Sequence, residues 1–169
     1  MPLKRRAMYL LSLACILMLT ACGFQLRGSS NSAALHFKSI YLGFPETSTL
    51  GTELKRYIRS NGETLIATDP KSSEVNLEVL SETREKGVLS LNNQGRVREY
   101  TLYYKLKFRV KDKSEKELLA PTEIVLKRDI SFNESQVLAK EKEEELLYRD
   151  MQSDLVQQIL RRLAAIKLG

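Results

Sequence analysis

Few side chains in this sequence could do covalent or metal chemistry. There are two cysteines, Cys15 and Cys22, and one histidine, His36. These do not make a zinc or iron site, which needs three or four ligands at short, recognisable spacings. No GxSxG elbow is present to carry a serine nucleophile, and His36, alternating with Leu35 and Phe37, reads as a strand-surface residue rather than a general base. Carboxylates are plentiful, but Glu141 and Glu143 to Glu145 form a run of the kind that is ordinarily solvated. There is no glycine-rich phosphate loop and no aromatic RNA-binding motif. No catalytic residue, metal site or diffusible cofactor is therefore expected.

The cations are more informative. Arg96 and Arg98 follow the turn signal Asn92-Asn93-Gln94-Gly95, and Leu89 and Leu91 come just before it. Positive charge beside exposed apolar groups suits an amphipathic anion such as a lipid phosphate. A solvated hairpin tip whose charges protect a sheet edge is the plainer reading. Lys140, in VLAKEKEEE, stands near the start of a helix, where the dipole and free N–H groups favour an anion. Its plainer reading is a surface pair with Glu144, worth about 0.3–0.5 kcal/mol. A third group, Tyr103, Lys105, Lys107 and Arg109, alternates on one strand face, which is either an interaction face or a solvated outer face.

Cys22 owes its meaning to its surroundings. Lys4, Arg5 and Arg6 precede the uncharged, almost wholly apolar run Ala7 to Leu19, which leads through Thr20 and Ala21 to the cysteine. That is the order of an export signal. The run is shorter than the roughly 20 residues of a spanning helix. Leu19-Thr20-Ala21-Cys22 is similar to the lipobox of bacterial lipoproteins. That resemblance implies cleavage between Ala21 and Cys22, and acyl chains on the cysteine thiol and the new amine. Cys15 would leave with the signal. So would Lys4, Arg5 and Arg6, which supply half of the +6 formal net charge. Nucleic acid is therefore not an expected partner.

These groups need a scaffold, and the hydrophobic pattern describes one. Leu35 to Leu42 reads as a first strand. Ser48 or Thr49 caps a helix over Leu50 to Ser60, which Asn61-Gly62 ends. Val75, Leu77 and Val79 alternate as a second strand, and Val88 to Leu91 could extend it. Tyr100, Leu102, Tyr104, Leu106, Phe108 and Val110 form the clearest period of two in the chain. Ile124, Leu126, Ile130 and Phe132 mark a fourth strand, with Arg128 interrupting its apolar face. Leu147, Met151, Leu155, Ile159 and Leu163 then recur every four residues along one long amphipathic helix, broadened by Leu160 and Ile166. The expected fold class is α+β: a two-layer sandwich, β-α-β-β-β-α, with two helices packed on one face of a four-stranded mixed sheet. The expected organisation is a removed signal at 1–21, a lipidated N-terminus and tether at 22–34, and a single domain over 35–169.

Taken together, the cysteine followed by GFQLRG, the Glu99-Tyr100 strand entry and the Leu138-Ala139-Lys140 helix start resemble the LptE lipopolysaccharide-assembly lipoproteins of Gram-negative bacteria. The similarity spans essentially the whole chain. It implies a lipid-anchored protein on the periplasmic side of the outer membrane, with no enzymatic activity and a covalent lipid on Cys22. It implies a complex with the LptD β-barrel translocon, in which the chain is plug and assembly partner. It also implies binding of lipopolysaccharide during transport. Lys140 matches a basic position linked to that binding. The family's basic tip position falls on Asn93, with Arg96 and Arg98 a few residues on. The residues by themselves also leave open a scaffold in another envelope-assembly machine, or an envelope hydrolase.

Overall fold

The long alternating run becomes an interior strand of the computed structural model, which describes residues 35–168. This strand, Val97–Asp112, turns Leu102, Tyr104, Leu106, Phe108 and Val110 into the core, where all five are fully buried. Every second side chain of a pleated strand shares a face, so the alternation decides the burial. It is the fourth of five strands. β1 (Ser39–Gly43), β2 (Leu65–Ala67), β3 (Val75–Leu91), β4 (Val97–Asp112) and β5 (Glu117–Ser131) form one sheet in the order β2-β1-β3-β4-β5. β1 runs parallel to both β2 and β3, while β3, β4 and β5 are successively antiparallel.

Two helices complete the core. α1 (Thr49–Asn61) joins β1 to β2, and α2 (Val137–Ala164) follows β5. Ser48 caps α1, its hydroxyl accepting a hydrogen bond from the Gly51 N–H at 3.0 Å, and Gly62 closes the helix in the left-handed region at φ 72°. Leu50, Leu54 and Ile58 of α1 pack with Met151, Leu155, Val156, Ile159 and Leu163 of α2 and with the inner residues of the sheet. Burial on α2 begins only at Met151, and the preceding turns are largely exposed. Among the described residues no helix is long and apolar enough to cross a membrane.

Gly51 is where α1 meets Phe44, since a Cβ there would lie 2.5 Å from the Phe44 Cβ. Gly51→Ala is therefore expected to lower stability by about 1–3 kcal/mol, the usual result of overpacking a filled core. Chemical denaturation against the parent chain measures it.

The structure corrects the strand count. The sheet has five strands rather than four, because Leu65–Ala67 pairs with β1. Three residues are too few to show a period, and Leu65 is exposed, so the segment carries no hydrophobic signature. β1 also starts later than expected: Leu35 to Lys38 bends rather than pairs, which leaves His36 exposed on that bend. Tyr103, Lys105, Lys107 and Arg109 do face away from the helices. There Lys105 pairs with Glu85 at 2.7 Å, and Arg109 with Glu78 at 2.6 Å.

One irregularity reshapes the far half of the sheet. The β3–β4 register shifts between Val79 and Ser81, so Leu80 is an extra residue. Before the bulge Val75, Leu77 and Val79 face the helices. After it Glu82, Arg84, Lys86 and Val88 take that face, opposite Leu106, Tyr104, Leu102 and Tyr100. The charges are absorbed by a polar layer. The Arg84 guanidinium lies 4.5 Å from the Tyr104 ring centroid and 5.4 Å from that of Tyr148. Its Nη2 donates to Gln152 Oε1 at 3.0 Å, and Tyr104 Oη donates to Glu82 Oε1 at 2.6 Å. Burial, then the Glu82 hydrogen bond, pushes the Tyr104 phenol well above its ordinary value, so it remains a donor.

Candidate anion-binding site

The β3–β4 hairpin ends in a tight turn built by its own side chains. Asn92 Oδ1 accepts from the N–H groups of Gln94 at 2.9 Å and Arg96 at 3.0 Å. Gly95 takes φ 76°, which an L side chain rarely adopts. The turn thus places Arg96 just before the return strand and Arg98 at its second residue. On the outgoing strand Val88, Leu89 and Leu91 are each more than half exposed. Apolar surface and guanidinium groups therefore share the tip, as the spacing predicts.

The connection from β5 to α2 packs against that tip. Asn133 caps a short turn over Glu134–Gln136, its Oδ1 accepting from the Ser135 N–H at 3.0 Å. The Phe132 N–H donates to the Arg98 carbonyl at 2.8 Å, and the Phe132 ring meets Tyr100 edge-on at 5.3 Å. Asn92, Gln94, Arg96, Arg98, Phe132 and Glu134 help line a shallow groove of about 260 Å³ between the two segments.

Lys140 reaches the same end of the sheet from α2. Its Nζ donates to Ser131 Oγ at 2.9 Å, and Ser131 is the β5 partner of Glu99, the residue after Arg98. Arg96, Arg98 and Lys140 come from two segments far apart in sequence, and the structure gathers all three around the β3–β4 tip and the β5–α2 junction. Lys86 joins them, its Nζ 4.4 Å from the Tyr100 ring centroid. The sequence reading missed it, because only the bulge at Leu80 turns Lys86 toward α2.

Each cation already has a carboxylate. Arg96 Nη1 lies 3.0 Å from Glu134 Oε2, Arg98 Nη2 lies 3.1 Å from Glu99 Oε2, and Lys140 Nζ lies 2.8 Å from Glu143 Oε2. Lys86 holds Glu144 at 2.6 Å. The partner expected for Lys140 was Glu144; the structure gives it Glu143 instead, because Glu144 turns toward β3. Hydrogen bonds from Ser90 and then Arg98 hold the Glu99 carboxyl below its ordinary value, so it is ionised at neutral pH. An arriving anion would exchange partners with these acids rather than find bare cations. Such exchange is inexpensive, since exposed pairs contribute about 0.2–1 kcal/mol each.

Cys22, with the cleavage position at Ala21 and Cys22, the signal and the tether, lies outside the described residues. Among the described residues no group of His, Cys, Asp and Glu is arranged to hold a metal ion.

Comparison with known proteins gives a consistent picture. The family described as LptE, lipopolysaccharide-assembly, matches residues 37–163. A curated relative, the LPS-assembly lipoprotein LptE of Pectobacterium atrosepticum, is 23% identical over 163 residues, covering 96% of this chain and 88% of its own. Among solved structures, a lipoprotein B from Nitrosomonas europaea is 40% identical with a TM-score of 0.72, covering 85% of this chain and 91% of that one. The rare lipoprotein B of Shewanella oneidensis is 26% identical with a TM-score of 0.65, covering 76% of this chain and 95% of that one. A minor lipoprotein from Acinetobacter baumannii is 27% identical with a TM-score of 0.62, covering 78% and 94% respectively.

Proposed function

From the premise that this chain belongs to the LptE lipopolysaccharide-assembly family, we propose that it is the partner and plug of an LptD-type β-barrel in the outer membrane. It is a lipoprotein of lipopolysaccharide assembly rather than an enzyme. In the proposed arrangement, acyl chains on Cys22 hold it on the periplasmic side, and it contacts lipopolysaccharide through Arg96, Arg98 and Lys140 during delivery.

The observation that carries the reading is the placement of those three cations at the end of the sheet where Val88, Leu89 and Leu91 are exposed. Lipid A presents phosphates next to acyl chains, so a ligand of that kind matches both halves of the tip. The outer face of the sheet supports the barrel partnership. Its ion pairs make a polar surface, and the interior of a transmembrane barrel is polar. A lipid anchor would also keep the domain close to a barrel in the same membrane, at high effective concentration.

The test is purification of the tagged full chain from detergent-solubilised membranes. The lipopolysaccharide translocon barrel is expected to accompany it in stoichiometric amount. Recovery of the chain with a different envelope machine, or alone, would overturn the partnership.

A further inference from the structure

We infer that Glu134, Glu99 and Glu143 determine the specificity of the tip, setting a threshold that phosphate monoesters pass and phosphodiesters do not. The inference rests on the anion-binding reading of Arg96, Arg98 and Lys140 and adds to it the acids that oppose binding.

Those three cations are each matched by one carboxylate at 2.8–3.1 Å, and the pairs draw on separate elements: β4, the β5–α2 turn and α2. Arg96 and Glu134 are 38 positions apart, so their meeting is a product of the fold rather than of local spacing. The acids stand where a ligand's anionic oxygens would go, so binding is an exchange. A ligand group carrying one negative charge replaces a carboxylate by its equal, and little is gained. A phosphate monoester carries about −1.5 to −2 near neutral pH and offers three acceptor oxygens. It exceeds the carboxylate in both charge and hydrogen-bonding capacity, so the exchange favours it. Ordinary membrane phospholipids carry phosphodiesters, each with a single phosphate charge. A tip of bare cations would adhere to any anionic bilayer, whereas a tip filled with its own carboxylates ignores such surfaces and still yields to a lipid with monoester phosphates. Glu134 and Arg96 are both 61% exposed at the side chain, so the exchange needs no rearrangement of the core.

The experiment compares binding of the unlipidated chain, with the signal removed and Cys22→Ser in every variant, to two kinds of vesicle at fixed salt. One contains bisphosphorylated lipid A in phosphatidylcholine, and the other phosphatidylglycerol in phosphatidylcholine. The variants are Glu134→Gln with Glu143→Gln, Arg96→Gln with Lys140→Gln, and the distant exposed control Glu46→Gln. The acid-to-amide pair is expected to tighten binding to phosphatidylglycerol by about ten-fold and to lipid A by less, so that the preference between them narrows. Glu46→Gln is expected to change neither. If the acid-to-amide pair leaves the preference unchanged while Arg96→Gln with Lys140→Gln weakens lipid A binding, the threshold is wrong and the binding site stands. If Arg96→Gln with Lys140→Gln binds lipid A as the parent does, the site itself is wrong, and the threshold falls with it. Tightening by Glu46→Gln of about half the free energy gained by the acid-to-amide pair, one charge removed where the pair removes two, would show an effect of net charge alone and would also overturn the inference.

Discussion

Reversing charge at the tip, Lys140→Asp together with Arg96→Asp, is expected to reduce lipopolysaccharide binding by at least about 100-fold. A hydrogen bond to a charged group contributes about 1.5–3 kcal/mol, so losing two of them gives a loss of that order. Aspartate adds repulsion to the loss, because it faces the same phosphates. Stability should hardly move. Arg96 acts in an exposed ion pair, and Lys140, with its side chain only 17% exposed, acts in a partly covered one. Pairs of this kind contribute about 0.2–1 kcal/mol each when exposed, and neither residue belongs to the core cluster. The measurement is therefore a binding isotherm paired with a thermal melt. Unchanged binding with an unchanged melt would remove both residues from the proposed site. The plainer readings, a solvated tip and a surface lysine, would then be correct.

The second large effect is expected at Cys22. With the segment 1–21 exchanged for an export signal whose cleavage does not need the cysteine, so that the apolar run Ala7 to Leu19 is not retained, the Cys22→Ser chain should leave the membrane fraction and appear in the soluble periplasmic extract. One acyl chain supports only marginal, reversible membrane binding, while each further chain adds about 0.8 kcal/mol per buried CH₂. Two or three chains on one cysteine make residence effectively permanent, and a serine side chain carries none of them by this route. Fractionation of salt-washed membranes separates the outcomes. A serine variant that stays in washed membranes without its barrel partner would show that something other than Cys22 holds the chain.

Much of the fold was legible because it is written in local periodicity. The alternation from Tyr100 to Val110 made β4, and the four-residue recurrence from Leu147 to Leu163 made the packed part of α2. Ser48 and Gly62 marked the ends of α1, since a cap and a left-handed residue are properties of single positions. The NNQG turn located Arg96 and Arg98 for the same reason. The comparisons bear out the family that the sequence resembled and the mixed α+β architecture. β2 was not legible: three residues with Leu65 exposed become a strand only because β1 offers them an edge.

What the sequence by itself determined about this protein is therefore local. It specified the strand and helix faces, the caps, the turn, and the identity of the cations at the tip. Tertiary structure decided what those residues meet. The bulge at Leu80 turns Glu82, Arg84 and Lys86 toward the helices, which no count along the strand reveals, because one inserted residue inverts every side chain after it. Lys86 then meets Glu144 across 58 positions, and Arg96 meets Glu134 across 38. Lys140, expected beside Glu144, settles on Glu143 and Ser131 instead. Glu99 and Glu143 lie one and three positions from the cations they hold, within reach of sequence spacing. Glu134 and Glu144, which hold Arg96 and Lys86, had to be found in the fold, because pairing across distant segments acts over a few ångströms in space and carries no period in sequence.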